Sequence, residues 1–174
     1  MSTFQQLNAP ITGITVDDSA CEVDDLAYCG GIVVKIGPDQ SWDALVERAV
    51  ESDWRGIEAL SGIEGSVGDV VTRNASAYSY SVADAVYSVR TWDHSRDAQK
   101  TFPMVSCQFG TGESRFQEEL PGGGPRFEIL DVSFLFKQGD YTLPIQDEEL
   151  AAMLGIAVGD RATLKAVRDT ILNR

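Results

Sequence analysis

The chain has 174 residues, 43% hydrophobic and 24% charged, which is enough to bury the core of one domain, or of one domain with a small second lobe. Its formal net charge of −13 opposes binding to nucleic acid or to an anionic membrane. No apolar run approaches the roughly 20 residues that cross a bilayer, and the opening "MSTFQQLNAP" lacks the basic and apolar segments of a leader, so a cytoplasmic protein is expected. Cys21, Cys29 and Cys107 are too few and too irregularly spaced for a disulfide framework, and one histidine, His94, leaves no histidine-based metal site.

In chain order, "GIVVKIGP" (31–38) is β-branched and closed by Gly-Pro, which predicts a strand. "SWDALVERAVESDW" (41–54) predicts a helix with Ser41 as N-cap and Trp42, Leu45, Val46, Ala49 and Val50 on its inner face. "GIEALSGIEGSVGDVV" starts apolar and turns glycine-rich, a loop leading into another element. "VADAVYSVRTWD" (82–93) predicts a strand, "TWDHSRD" a polar turn with a solvated His94, and "TFPMVSCQF" a short connector. "PGGGP" (121–125) is a turn before the clearest strand, "RFEILDVSFLFKQG" (126–139). "QDEELAAMLGI" (146–156) and "RATLKAVRDTILNR" (161–174) predict two helices. Strands and helices interleave without a βαβ rhythm, which predicts an α+β fold: a mixed or antiparallel sheet with packed helices. Residues 1–138 are expected to form a central domain and 139–174 a helical segment packed on it.

The stretch "GIEGSVGDVVTRNASAYSYS" (62–81) poses the functional question. Gly62, Gly65 and Gly68 could let backbone approach a phosphate, yet Glu64 and Asp69 place carboxylates where an anion would sit. With its neighbours "WRGIEALSGIEGSVG", "NASAY", "VADAVYSVRTWD" and "CQFGTGESRF", it resembles the central part of UDP-N-acetylenolpyruvoylglucosamine reductase, a MurB-type flavoenzyme of peptidoglycan synthesis. "LGIAVGDRATLKAVRDTILNR" resembles the helical segment that follows. The resemblance implies that an N-terminal flavin lobe and a C-terminal catalytic segment of the family have no counterpart here. Within the matched motifs Glu64, Asp69 and Arg73 replace the family's proline, alanine and glutamine. Ser76 and Ser79 replace glycines, and Thr111 and Gly112 replace a Tyr-Arg pair whose arginine holds the enolpyruvyl substrate; Ser114 and Phe116 are kept.

These departures point away from flavin reduction and predict no cofactor and no metal. The leading expectation is a cofactor-independent enzyme that uses a vacated apolar cleft, an intramolecular cyclase of the [4+2] type acting on an apolar secondary metabolite. Glu64, Asp69, Arg73, Tyr78 and Tyr80 are the candidate catalytic groups; Trp54, Ser76, Ser79, Thr111, Ser114 and Phe116 are the candidate substrate contacts. Each also reads as an ordinary loop or core side chain. The alternative is a non-catalytic binding protein for a UDP-sugar or a partner enzyme. The expected partner is an apolar small molecule, with no nucleic acid and no membrane, and a homodimer is open as a way to cover apolar surface.

Overall fold

The computed structural model describes residues 14–17 and 31–174; Cys21, Cys29 and the opening "MSTFQQLNAP" lie outside them. Strand β1 (Thr15–Asp17) pairs with β2 (Ile32–Ile36), in which Ile32, Val34 and Ile36 are buried and Lys35 is exposed. That alternation lays one face of the sheet on helix α1 (Trp42–Glu51). Ser41 caps α1 by accepting from the Ala44 amide, and the five expected apolar residues of α1 are buried. Two-residue strand β3 (Trp54–Arg55), a 3₁₀ turn (Glu58–Leu60) and helix α2 (Val67–Thr72) follow. Strands β4 (Ser76–Ala77) and β5 (Tyr80–Ser81) make a small hairpin. The long strands are β6 (Val86–Asp93), β7 (Ala98–Pro103) and β8 (Phe127–Gln138). Helices α3 (Glu148–Leu154) and α4 (Leu164–Leu172) close the chain.

The main sheet runs in the order β1-β2-β8-β6-β7, with every pairing antiparallel and β3 paired to the end of β8. With this sheet and four helices, the fold is α+β. Central β8 carries Val132, Phe134 and Phe136 into the core, where Trp42 packs on Phe134 and Trp54 stacks on Phe136. A second apolar cluster joins Ile145, Leu150, Ala151, Val167 and Ile171 to Ala59 of the 3₁₀ turn. Tyr80 packs against both clusters.

Two expectations are corrected. Residues 82–84 form a 3₁₀ turn rather than the start of a strand, because Asp84 accepts from the Ser81 amide and Ala85 donates back to the Val82 carbonyl. "TFPMVSCQF" is not only a connector: Thr101–Pro103 complete β7, an edge strand in which Phe102 alone is buried, so its alternation is nearly invisible in the sequence. His94 sits exposed in the β6–β7 turn, as expected, 3.3 Å from Glu128.

Candidate functional site

A cleft of about 630 Å³ opens between β3, the β4–β5 hairpin, the start of β6, the end of β8 and the segment leading into α3. Its walls are mainly apolar, with Ala85, Val86, Tyr87, Met104, Leu135 and Leu143 among them. Tyr87 and Leu143, at the cleft rim, are more than half exposed.

At its polar end lies Glu58, only 1% exposed. The chain forces it there. Ile57, Ala59 and Leu60 are all buried, so the short turn that places them carries the carboxylate inward with them. The Gly56 amide donates to one carboxylate oxygen at 2.8 Å, and the Tyr80 hydroxyl donates to the other at 3.3 Å. Two hydrogen bonds do not replace the lost hydration, and desolvation pushes the Glu58 carboxyl above the usual glutamate range. Burial, and then the neighbouring Glu58 charge, push the Tyr80 phenol well above its ordinary value, so it stays protonated. Glu58 lies within "WRGIEALSGIEGSVG", a stretch that carries the family resemblance, yet it is not among the candidate site residues read from the sequence. Its signal in the sequence is a lone acid inside an apolar run, "GIEAL".

The backbone at the cleft is strained. Tyr78 and Ser79, the two turn residues of the β4–β5 hairpin, both have left-handed φ, 51° and 65°. Such a turn ordinarily takes Asn-Gly, and a side chain at each position costs energy. Ser79 compensates by donating to Asp147 at 2.9 Å, and Tyr78 accepts from Arg174 and lies under its guanidinium. Asp147 in turn caps α3 by accepting from the Leu150 amide, so the strained turn is fastened to the second apolar cluster.

Of the residues singled out in the sequence, Tyr78, Ser79 and Tyr80 line this cleft. Glu64, Asp69 and Arg73 gather instead around the N-terminus of α2. Asp69 and Ser66 form a reciprocal capping box, and Arg73 donates to the Glu64 carbonyl. Trp54 is stacked in the core, Phe116 lies in an aromatic cluster with Phe102 and Phe127, and Ser114 donates to the Thr72 carbonyl at 2.6 Å. Ser76 and Thr111 are exposed and do not line the cleft. Cys107 is buried with its thiol pushed up to about 11 and is no nucleophile; among the described residues no cluster of His, Cys, Asp or Glu is arranged to hold a metal.

The glycine-rich loop does not fit a flavin pyrophosphate. Four of its amide donors are engaged within the fold: Gly62 to the Asp43 carboxylate (2.7 Å), Ser66 to Asp69, Val67 to the Gln40 carbonyl and Gly68 to the Pro38 carbonyl. A Cβ at Gly68 would lie 3.0 Å from the Pro38 side chain and 3.3 Å from its carbonyl, so the space that this glycine leaves is already filled by the chain itself. Glu64 and Asp69 add exposed carboxylates to the same turn.

No family model matches the chain. Among curated proteins it is 40% identical over 148 residues to the UDP-N-acetylenolpyruvoylglucosamine reductase of Cutibacterium acnes, covering 85% of this chain and 38% of that one. It is 33% identical over 157 residues to the same-named protein of Thermobifida fusca, covering 90% and 42%. Among solved structures, UDP-N-acetylenolpyruvylglucosamine reductase from Thermus caldophilus matches with a TM-score of 0.52 and 25% identity, over 60% of this chain and 36% of that one. The chain thus spans about two-fifths of the length of the curated relatives it matches.

Proposed function

We propose that this chain, a homologue of the UDP-N-acetylenolpyruvoylglucosamine reductase family, binds an apolar, carbonyl-bearing small molecule in the Glu58–Tyr80 cleft and closes a ring within it, without using a flavin. The observation that carries this reading is the hydrogen bond between a buried carboxyl, whose pKa desolvation raises, and a phenol at the polar end of an otherwise apolar cleft. When Glu58 holds its proton it donates to the Tyr80 oxygen, and the Tyr80 hydroxyl hydrogen is released toward the cleft. There it donates to the substrate carbonyl and draws electron density from the conjugated alkene. In a [4+2] closure two π bonds become two carbon–carbon σ bonds; no atom or electron is gained or lost, so no external oxidant or reductant is needed. Holding the two ends of one molecule together supplies most of the acceleration, up to about 7–11 kcal/mol in the best intramolecular cases. A hydrogen bond aimed at the carbonyl adds to it in a water-poor site.

A second reading, a non-catalytic protein that holds a UDP-sugar, draws on Arg55, a cation that lines the cleft and whose buried Nε has no hydrogen-bond partner among the described residues. Native mass spectrometry and an absorption spectrum of the protein as purified from cells separate the two. A colourless protein carrying an apolar mass, lost in Tyr80→Phe, is the expected result. A UDP-sugar mass selects the second reading, and a flavin absorption band with a matching bound mass overturns both.

A further inference from the structure

At the other end of strands β6 and β8, a pocket of about 270 Å³ lies between the β6–β7 hairpin, the Arg115–Gln117 turn and the start of β8. Four cations line it, Arg96, Lys100, Arg115 and Arg126, against one carboxylate, Asp93. Four of the chain's fourteen Lys and Arg residues therefore converge on one small concavity of a protein with 27 acidic residues.

The cations divide into two kinds. Arg126 is committed: it binds Asp93 through two nitrogens at 3.2 and 3.0 Å and Glu118 through a third at 3.0 Å. Asp93 is also held by Ser95, so the one carboxylate of the pocket is neutralised within the fold. Arg115 is positioned but incompletely satisfied. Its guanidinium lies 4.4 Å over the Phe102 ring, one terminal nitrogen donates to the Ser106 carbonyl and the other stands 3.9 Å from Glu118, a long contact to a carboxylate already held by Arg126, while its Nε is buried without a hydrogen-bond partner among the described residues. Arg96 and Lys100 are exposed and have no carboxylate partner among the described residues; the Lys100 ammonium lies 5.7 Å from the Phe102 ring centroid. The aromatic floor holds guanidinium planes in fixed orientation, which suits the oxygen geometry of a phosphate.

We infer that this pocket is an anion site for a phosphate-type oxyanion of about the size of pyrophosphate, bound by Arg96, Lys100 and Arg115 over a scaffold of Arg126 and Asp93. It lies apart from the Glu58–Tyr80 cleft, shares none of its lining residues and does not depend on the reading of that cleft. The ligand source is either the free oxyanion or the phosphate end of a nucleotide.

The test is calorimetric titration of the purified chain with inorganic pyrophosphate at constant ionic strength, repeated with a nucleoside diphosphate. The expected result is saturable binding weakened about tenfold or more in the Arg96→Ala/Lys100→Ala double variant, whose exposed positions leave the fold intact, and unchanged in Tyr80→Phe. A nucleoside diphosphate that binds about tenfold tighter than pyrophosphate identifies the nucleotide as the source; equal affinity identifies the free oxyanion. Absence of saturable binding, or equal binding by the double variant, overturns the site.

Discussion

The loop from Gly62 to Arg73 and the hairpin turn at Tyr78–Ser79 lie side by side in the chain and are built from opposite materials. The loop has glycine where the backbone needs it: Gly62 and Gly65 adopt φ of 78° and 117°. Its Gly62, Ser66, Val67 and Gly68 amides are satisfied, its helix is capped and its charges face solvent. The hairpin turn has side chains where glycine would be easier, and beside it a carboxylate is buried against a phenol. A relaxed, self-satisfied loop has little left to offer a ligand. A strained turn next to an under-solvated acid, opening on an apolar cleft, has the character of a site. The comparison makes a general prediction: substitutions in the loop should lower stability, whereas substitutions at Glu58 and Tyr80 should change binding.

The strongest way to break the comparison is at the loop's anchor. Arg168 of α4 grips Asp43 of α1 through two hydrogen bonds of 2.8 and 2.9 Å, and the same carboxylate holds the Gly62 amide. Arg168→Ala strands Asp43 and frees the loop. The expected loss is about 2–3 kcal/mol, less than for a fully buried pair because the Asp43 side chain is 36% exposed. In thermal unfolding this is a fall of roughly 4–12 °C. A variant that melts with the parent would show that the loop is not held from α4. The hydrogen bond to Arg168 lowers the Asp43 pKa below the ordinary 3.8, so the clamp acts in full above that value and is lost as pH falls through the depressed one. The difference between parent and Arg168→Ala should therefore shrink in acid.

Next in size is Gly65→Ala. At φ 117° a side chain is strained wherever it points, and the Gly65 carbonyl accepts from the Trp42 amide at the start of α1. A loss of about 1–2 kcal/mol is expected, with binding of an apolar ligand in the cleft unchanged. Removal of the α2 cap by Ser66→Ala should cost about 1 kcal/mol, again without effect on the cleft. If either variant abolished ligand binding while melting normally, the loop would belong to the site after all.

How much of this could be read from the chain depends on the range of each interaction. α1, β2 and the long strand β8 were legible because Trp42, Leu45 and Val46, or Val132, Phe134 and Phe136, repeat at the period of their element. β7 was not legible and read as a connector, since Phe102 alone faces inward. The glycine loop drew attention because glycine signals close approach, but what approaches is set by tertiary structure: here the neighbours are Pro38, Asp43 and Leu172. The cleft draws on residues from Arg55 to Asp147, so no short motif encodes it. Tyr78, Ser79 and Tyr80 could be picked out as polar groups near the loop, but Glu58 passed as part of an apolar run because its burial follows from Ile57, Ala59 and Leu60.

The smallest expected effect tests the cleft side directly. Glu58→Gln keeps an acceptor for the Gly56 amide, turns an amide N–H toward the Tyr80 oxygen in place of the second acceptor, and removes the charge that burial disfavours. Because desolvation raises the Glu58 pKa above 4.5 in the folded chain, the folded state binds the proton more tightly than the unfolded state does. The contribution of this group to stability is greatest in acid and declines as pH rises from 4.5 through the raised folded value. The variant should therefore match the parent near pH 4 and exceed it near pH 8, by an amount on the order of 1 kcal/mol or less, read from denaturant midpoints at the two pH values. The parent's ligand affinity should fall as pH rises and Glu58 loses its proton, whereas that of the variant, whose amide does not titrate, should not. A variant less stable than the parent at alkaline pH would mean that Glu58 is held in the cleft by favourable charge interactions rather than against a desolvation cost. The carboxyl would then be a structural group, and the contrast between a relaxed loop and a tensioned site would fail at its central residue.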